Sequence, residues 1–125
     1  MNFMEAVSTA LRNYKTLSGR ASRPEFWYWY AFTIVVNLLT SLPVIYTAMM
    51  VSQDQYYFVL PFATAQLAIM IFLIMPTIAV TARRLHDTDL SGWYMLIFLI
   101  PAIGAIMMIV MLAQPSKPGS NRFGV

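Results

Sequence analysis

The sequence predicts an all-α fold: a small polytopic membrane protein with three transmembrane helices preceded by a short amphipathic interfacial helix. Three observations carry that expectation. Only 10% of the 125 residues are charged and 59% are apolar, whereas a soluble globule has about 25% charged and 45–50% apolar residues. Three stretches, 26–53, 55–82 and 90–116, contain no charge at all, and each supplies the roughly 20 apolar residues that cross a hydrocarbon core about 30 Å thick. A soluble bundle would need a polar stripe on every helix, and these stretches offer only scattered Asn, Gln, Thr and Ser. The length allows one domain, 1–125. The absence of cysteine excludes a disulfide scaffold and a thiolate metal site, and the apolar content excludes a disordered chain.

Residues 1–17 form the first element. Phe3, Met4, Val7, Leu11 and Tyr14 recur at helical spacing, while Glu5, Ser8, Arg12, Asn13 and Lys15 fall mostly elsewhere. That pattern predicts an amphipathic helix on the membrane surface, its basic groups near anionic headgroups, or equally one that packs against the bundle or recruits a partner helix. Ser18-Gly19 breaks it. Ser22 then stands three residues before Glu25, the spacing of a capping box, and Pro24 falls in the first turn, where its missing N–H leaves no helical bond unmade.

Spans are expected over 26–50, 58–80 and 93–113, with an irregular tail over 114–125. Trp27 to Tyr30, Tyr56 with Tyr57, and Trp93 with Tyr94 stand at the starts of the spans, where an amphipathic ring sits best between hydrocarbon and water. The first apolar stretch begins too late and runs too long for a signal peptide, so it is expected to stay in the protein. Pro43, Pro76 and Pro101 predict kinks, and Asn37 and Gln66 predict helix contacts, because an amide facing lipid is unsatisfied.

Charge gives the orientation. Arg12, Lys15, Arg20 and Arg23 precede the first span, Arg83 and Arg84 separate the second from the third, and the loop between the first and second holds only Asp54. The positive-inside rule then places the amino terminus and the second loop in the cytoplasm and the carboxyl terminus outside. Lys117 and Arg122 oppose that placement. If Pro101 and Gly104 turn the third stretch back as a re-entrant loop, both termini face the cytoplasm.

The chemistry concentrates in two places. Arg20, Arg23 and Glu25 precede or open the first span, and Arg83-Arg84-Leu85-His86-Asp87-Thr88-Asp89, closed by Ser91-Gly92-Trp93, separates the last two. Glu25 can pair with Arg83 or Arg84, and Asp87 or Asp89 with Arg20 or Arg23; such pairs in a half-dry setting fix how spans pack. Asp89 or Ser91 can cap the third span, and Gly92 permits close backbone approach. His86 beside Asp87 offers a base and a carboxylate, but no nucleophile motif accompanies them, and one histidine with scattered carboxylates matches no metal-ligand spacing. No catalytic, metal or cofactor site is expected. So few basic residues form no patch for nucleic acid, whereas arginines beside a membrane suit anionic phosphate headgroups.

Gly19-Arg20-Ala21-Ser22-Arg23-x-Glu25-Phe26-Trp27, the Arg83-to-Asp87 block with Ser91-Gly92-Trp93, Pro101-x-x-Gly104, and Gly119-x-Asn121-x-Phe123-Gly124 together resemble the bacterial inner-membrane family known as domain of unknown function 805. The resemblance spans nearly the whole chain. It implies a small polytopic inner-membrane protein with no settled activity, and it singles out Arg20, Arg23, Glu25, Arg83, Arg84, His86, Asp87, Gly92 and Trp93. Tyr94 stands where a second tryptophan is common.

The expected function is therefore non-enzymatic. The Arg/Glu/His/Asp cluster, Asp89 included, would hold the helices together and engage anionic membrane lipids, a second copy of the chain or another inner-membrane protein. Two alternatives are an oligomeric channel or carrier for a small solute, and a lipid-headgroup-modifying enzyme using His86 and Asp87. The charge-free spans count against an ion-coupled carrier.

Overall fold

In a computed structural model, which describes residues 1–124, the chain forms four α-helices: α1 (Phe3–Arg12), α2 (Arg23–Met50), α3 (Leu60–Asp87) and α4 (Ile103–Ala113). Two 3-10 segments, Gln53–Phe58 and Gly92–Leu99, lie between them. Val125, the last residue of the expected tail, lies outside the described residues.

Two helices among the described residues are long and apolar enough to cross a membrane: α2 and α3, each of 28 residues. They form an antiparallel pair. Ser22 caps α2 by accepting the Glu25 amide at 3.3 Å, with Pro24 in the first turn, so half of the expected capping box forms. The Glu25 carboxylate does not return to Ser22; it is taken by Arg83. A complete reciprocal box forms instead at α1, between Asn2 and Glu5. Within the pair, the buried Trp29 indole donates to the Thr77 hydroxyl at 3.1 Å, which satisfies both polar groups between apolar helices. Asn37 donates to the Thr33 carbonyl one turn back in its own helix, so its Nδ2 group already has an acceptor without a neighbouring helix.

The α1 helix is shorter than the 17 residues expected, and it presents Ala6, Val7 and Ala10 to the bundle. Phe3 meets Tyr28 edge-on at 6.0 Å between ring centres. Beyond α1, the Tyr14 hydroxyl donates to the Phe72 carbonyl at 3.1 Å. Phe72 lies four residues before Pro76, so its carbonyl has lost the helical N–H that proline cannot offer. Tyr14 supplies the missing donor.

The expected third transmembrane helix over 93–113 is corrected. A 3-10 segment, Gly92–Leu99, leads to a sharp reversal at Ile100–Ala102, and α4 returns with only 11 residues, about 16 Å against the roughly 30 Å needed to cross. The reason is local. The Ile103 amide donates to the Pro101 carbonyl at 2.7 Å across Ala102, whose φ of 59° and ψ of −63° belong to the rare, strained hand of the γ-turn. Gly104 then packs against the incoming arm of the hairpin, where a Cβ would run into the Ile97 carbonyl. Pro101 and Gly104 thus do not kink a span; they turn it back.

The same reversal corrects two further expectations. The carboxyl-terminal tail returns to the end of the bundle where α2 begins, so it does not lie opposite the amino-terminal segment. Nor is the tail irregular throughout: the Lys117 amide donates to the Asp87 carbonyl at 3.0 Å, and Asn121 bridges Gly124 in antiparallel fashion.

Because Ala102 holds a conformation that glycine adopts freely, Ala102→Gly is expected to raise thermal stability in detergent by about 1 kcal/mol. Gly104→Val must push the hairpin arms apart and is expected to cost about 1–3 kcal/mol. Equal melting temperatures for the two variants would contradict the turn geometry.

Candidate functional site: a buried arginine–carboxylate latch

The sequence places charge at three separated points, and the fold brings them together at the carboxyl end of α3. That end is built by a left-handed turn. Asp89 takes φ 63°, its amide donates to the His86 carbonyl at 3.0 Å, and the Leu90 amide donates to the Leu85 carbonyl at 2.9 Å. This is a Schellman stop with Asp in the position usually held by glycine; aspartate is among the few side chains that tolerate it.

Asp87 is the centre. One carboxylate oxygen accepts from Arg20 Nε at 2.8 Å, and the other accepts from Arg84 Nη1 and the Ser116 hydroxyl. Arg84 has no solvent exposure. Its guanidinium also donates to the Leu112 carbonyl at 2.9 Å, to the Gln114 carbonyl, and to the Ala21 carbonyl at 3.4 Å. One side chain therefore joins α3, the approach to α2 and the end of α4. A cation at the carbonyl end of α4 is also favoured by the helix dipole. Arg20 donates to the Lys117 and Gly119 carbonyls, each at 2.6 Å, and to the Asp87 carbonyl at 3.3 Å, so it holds the tail.

A second pair lies alongside: Arg83 Nη1 donates to Glu25 at 2.7 Å, both side chains buried. Arg83 Nε and Nη2 are buried with no partner among the described residues, which costs about 1–3 kcal/mol per group in general. Of the pairings open in the sequence, the structure thus selects Glu25–Arg83 and Asp87–Arg20, and adds Asp87–Arg84.

Other expected site residues separate from the latch. Asp89 does not meet Arg20 or Arg23; it pairs at 3.6 Å with the exposed Arg122. Arg23 is exposed and makes no ion pair among the described residues. Ser91, rather than Asp89, caps the second 3-10 segment by accepting the Trp93 amide at 3.3 Å. Gly92 lies where a Cβ would sit 3.4 Å from that of Ala82, and Trp93 is largely exposed. His86 and Asp87 do not form a dyad. His86 Nδ1 meets the Gly19 carbonyl at 2.9 Å, and Phe123 stacks on its ring at 4.0 Å, nearly parallel. No group of three or more potential metal ligands gathers among the described residues.

The family described as "Protein of unknown function (DUF805)" matches residues 14–125. The chain belongs to this family. Among DUF805 relatives, Inner membrane protein YhaH of Escherichia coli (strain K12) is 40% identical over 121 residues, covering 97% of this chain and 94% of its own. Inner membrane protein YhaI of the same strain is 33% identical over 121 residues, covering 97% and 93%. No solved structure matches the chain. The DUF805 match takes in every latch residue and begins at Tyr14, the donor to Phe72.

Sequence reasoning missed the acceptors. Ser116 and the carbonyls of Leu112, Gln114, Lys117 and Gly119 carry no motif of their own. A signal was nevertheless present in this DUF805 chain. Arg20, Arg23, Arg83 and Arg84 outnumber Glu25, Asp87 and Asp89, so a guanidinium group buried here must turn to backbone carbonyls, which a non-helical tail leaves free.

Arg84→Lys is expected to fail as a conservative change, because an ammonium cannot span the same acceptors in a plane. A loss of about 3–5 kcal/mol is expected, with the tail becoming sensitive to protease; unaltered melting and protection would rule out the latch. For the other pair, Glu25→Ala should cost a similar amount, whereas Glu25→Leu with Arg83→Met should be near neutral, measured by thermal unfolding in detergent.

Proposed function

We propose that this DUF805 protein is a non-enzymatic inner-membrane protein whose α2–α3 hairpin crosses the bilayer, with the latch, the amino-terminal segment and the tail on the cytoplasmic side. The 3-10 segment and α4 enter from that side and return to it, and α1 lies at the interface. The observation that carries this reading is the gathering of basic residues. Arg20, Arg23, Arg83, Arg84, Lys117 and Arg122 all stand at the end where α2 begins, while the connection at the other end contains only Asp54. Lys117 and Arg122, which oppose a three-span topology, agree with a two-span one. The names of the relatives as inner membrane proteins support the compartment.

In this reading the latch holds a re-entrant hairpin against two spans and leaves Arg23 free at the headgroup level. An exposed guanidinium beside the first turn of α2 suits an anionic lipid phosphate. The protein then acts as a lipid-anchored membrane scaffold for a second copy or another inner-membrane protein. The channel and enzyme alternatives draw less support, since the Asn37 Nδ2 group is satisfied within its own helix and His86 and Asp87 face different partners.

The chain has no cysteine, so single introduced thiols report topology directly. Gln53→Cys is expected to react with a membrane-impermeant maleimide in intact cells, and Ser120→Cys only after permeabilisation; labelling of Ser120→Cys from outside would overturn the topology. In native mass spectrometry, Arg23→Ala should lose retained anionic lipid while changing stability by no more than about 0.5 kcal/mol. Unchanged lipid retention would remove the headgroup role.

A further inference from the structure

His86, Ser91, Gly92 and Trp93 are marked by the sequence, yet their side chains take no part in the latch. They meet at a cavity of about 380 Å³, walled by Leu17, Ile78, Ala82, Trp93 and Met95, with His86 and Ser91 as its polar lining. The walls come from three parts of the chain: the approach to α2, one face of α3, and the start of the re-entrant hairpin. The volume falls within the range of small-molecule sites, about 300–1,000 Å³, and so does the pattern of apolar walls with few polar groups.

The polar groups have defined roles. His86 Nδ1 lies 2.9 Å from the Gly19 carbonyl, which can only accept, so Nδ1 carries hydrogen and Nε2 of the neutral ring is an acceptor. Phe123 covers one ring face. Gly92 borders the cavity, and a Cβ there would lie 3.6 Å from Nε2, so the free nitrogen stands beside the Ser91–Gly92 turn. The Ser91 oxygen accepts from the Trp93 amide, leaving its own hydrogen to donate. An acceptor and a donor at one end of an apolar cavity complement a group that both donates and accepts.

We propose that this cavity binds the carboxyl end of a single-chain fatty acid. The acid O–H meets His86 Nε2, the acid carbonyl accepts from Ser91, and the chain runs past Leu17, Ile78 and Met95 toward the lipid. In this contact the acid and the ring share one proton, and the second acid oxygen is held by the Ser91 hydroxyl. An ester of the same chain lacks that proton and leaves Nε2 unpaired. The site uses side chains that the latch does not, so it stands or falls separately from the reading above.

The test is photo-crosslinking of the purified full chain in detergent with palmitic acid carrying a diazirine in its chain. Cross-links are expected to concentrate at Leu17, Ile78 and Met95, and unlabelled palmitic acid should suppress them at about tenfold lower concentration than methyl palmitate. Gly92→Leu, which fills the cavity, should cut cross-linking about tenfold, and Ser91→Ala about threefold to tenfold. Should Gly92→Leu fail to fold, the acid-against-ester comparison on the unaltered chain decides. Cross-links spread over the lipid-facing surfaces of α2 and α3, or equal competition by acid and ester, would overturn the proposal.

Discussion

A carboxylate shared by two guanidinium groups, away from water, leaves little freedom to the chain around it. Asp87 accepts from Arg20 and Arg84 with side-chain exposures of 8%, 9% and 0%, and each arginine must place its remaining N–H groups on something. Water is scarce, and Glu25 is already engaged. The acceptors left are backbone carbonyls not consumed by a helix. That requirement explains why the chain ends its last helix at Ala113 and runs on as a non-helical tail beside α3. The local turn at Pro101–Gly104 serves the same requirement: Arg84 bonds the Leu112 carbonyl only if α4 points toward it. Hydrophobicity places this chain in the membrane; hydrogen bonds hold its third apolar segment in place.

The apolar hairpin of α2 and α3 was legible from composition, because runs without charge admit few other structures. The cluster was also legible in outline, since basic and acidic residues in an otherwise charge-free chain have few candidates to pair with. Direction was harder. A run of apolar residues over 93–113 reads as a span by length, and only Pro101 and Gly104 say otherwise. Their effect depends on Ala102 adopting a positive φ, to which alanine has no intrinsic preference. The tail's order was harder still, because backbone acceptors leave no mark in a sequence.

Two smaller arrangements show the same economy of polar groups. Pro76 removes an N–H from the middle of α3, and Tyr14, far away in sequence, donates to the carbonyl left open. Trp29 and Thr77 satisfy each other between α2 and α3. In each case a side chain from one element completes the backbone or side chain of another, so that helices with few directional contacts acquire a defined register. Nε and Nη2 of Arg83 and Oδ1 of Asp89, buried without a hydrogen-bond partner among the described residues, are the exceptions.

The position of the latch along the chain has a consequence for biosynthesis. Domains begin to fold from the amino terminus while synthesis continues, and the α2–α3 hairpin can form as soon as Asp87 has emerged. The latch cannot. Its acceptors at Leu112, Gln114, Lys117 and Gly119 are made long after Arg20. Until they arrive, Arg84 and Arg20 have Asp87 but lack the carbonyls that take their remaining N–H groups. A chain halted short of Gly119 would therefore have its latch open and the apolar segment after α3 unheld. Closure by residues that follow α4 makes the latch a late step of folding, after the helices it joins.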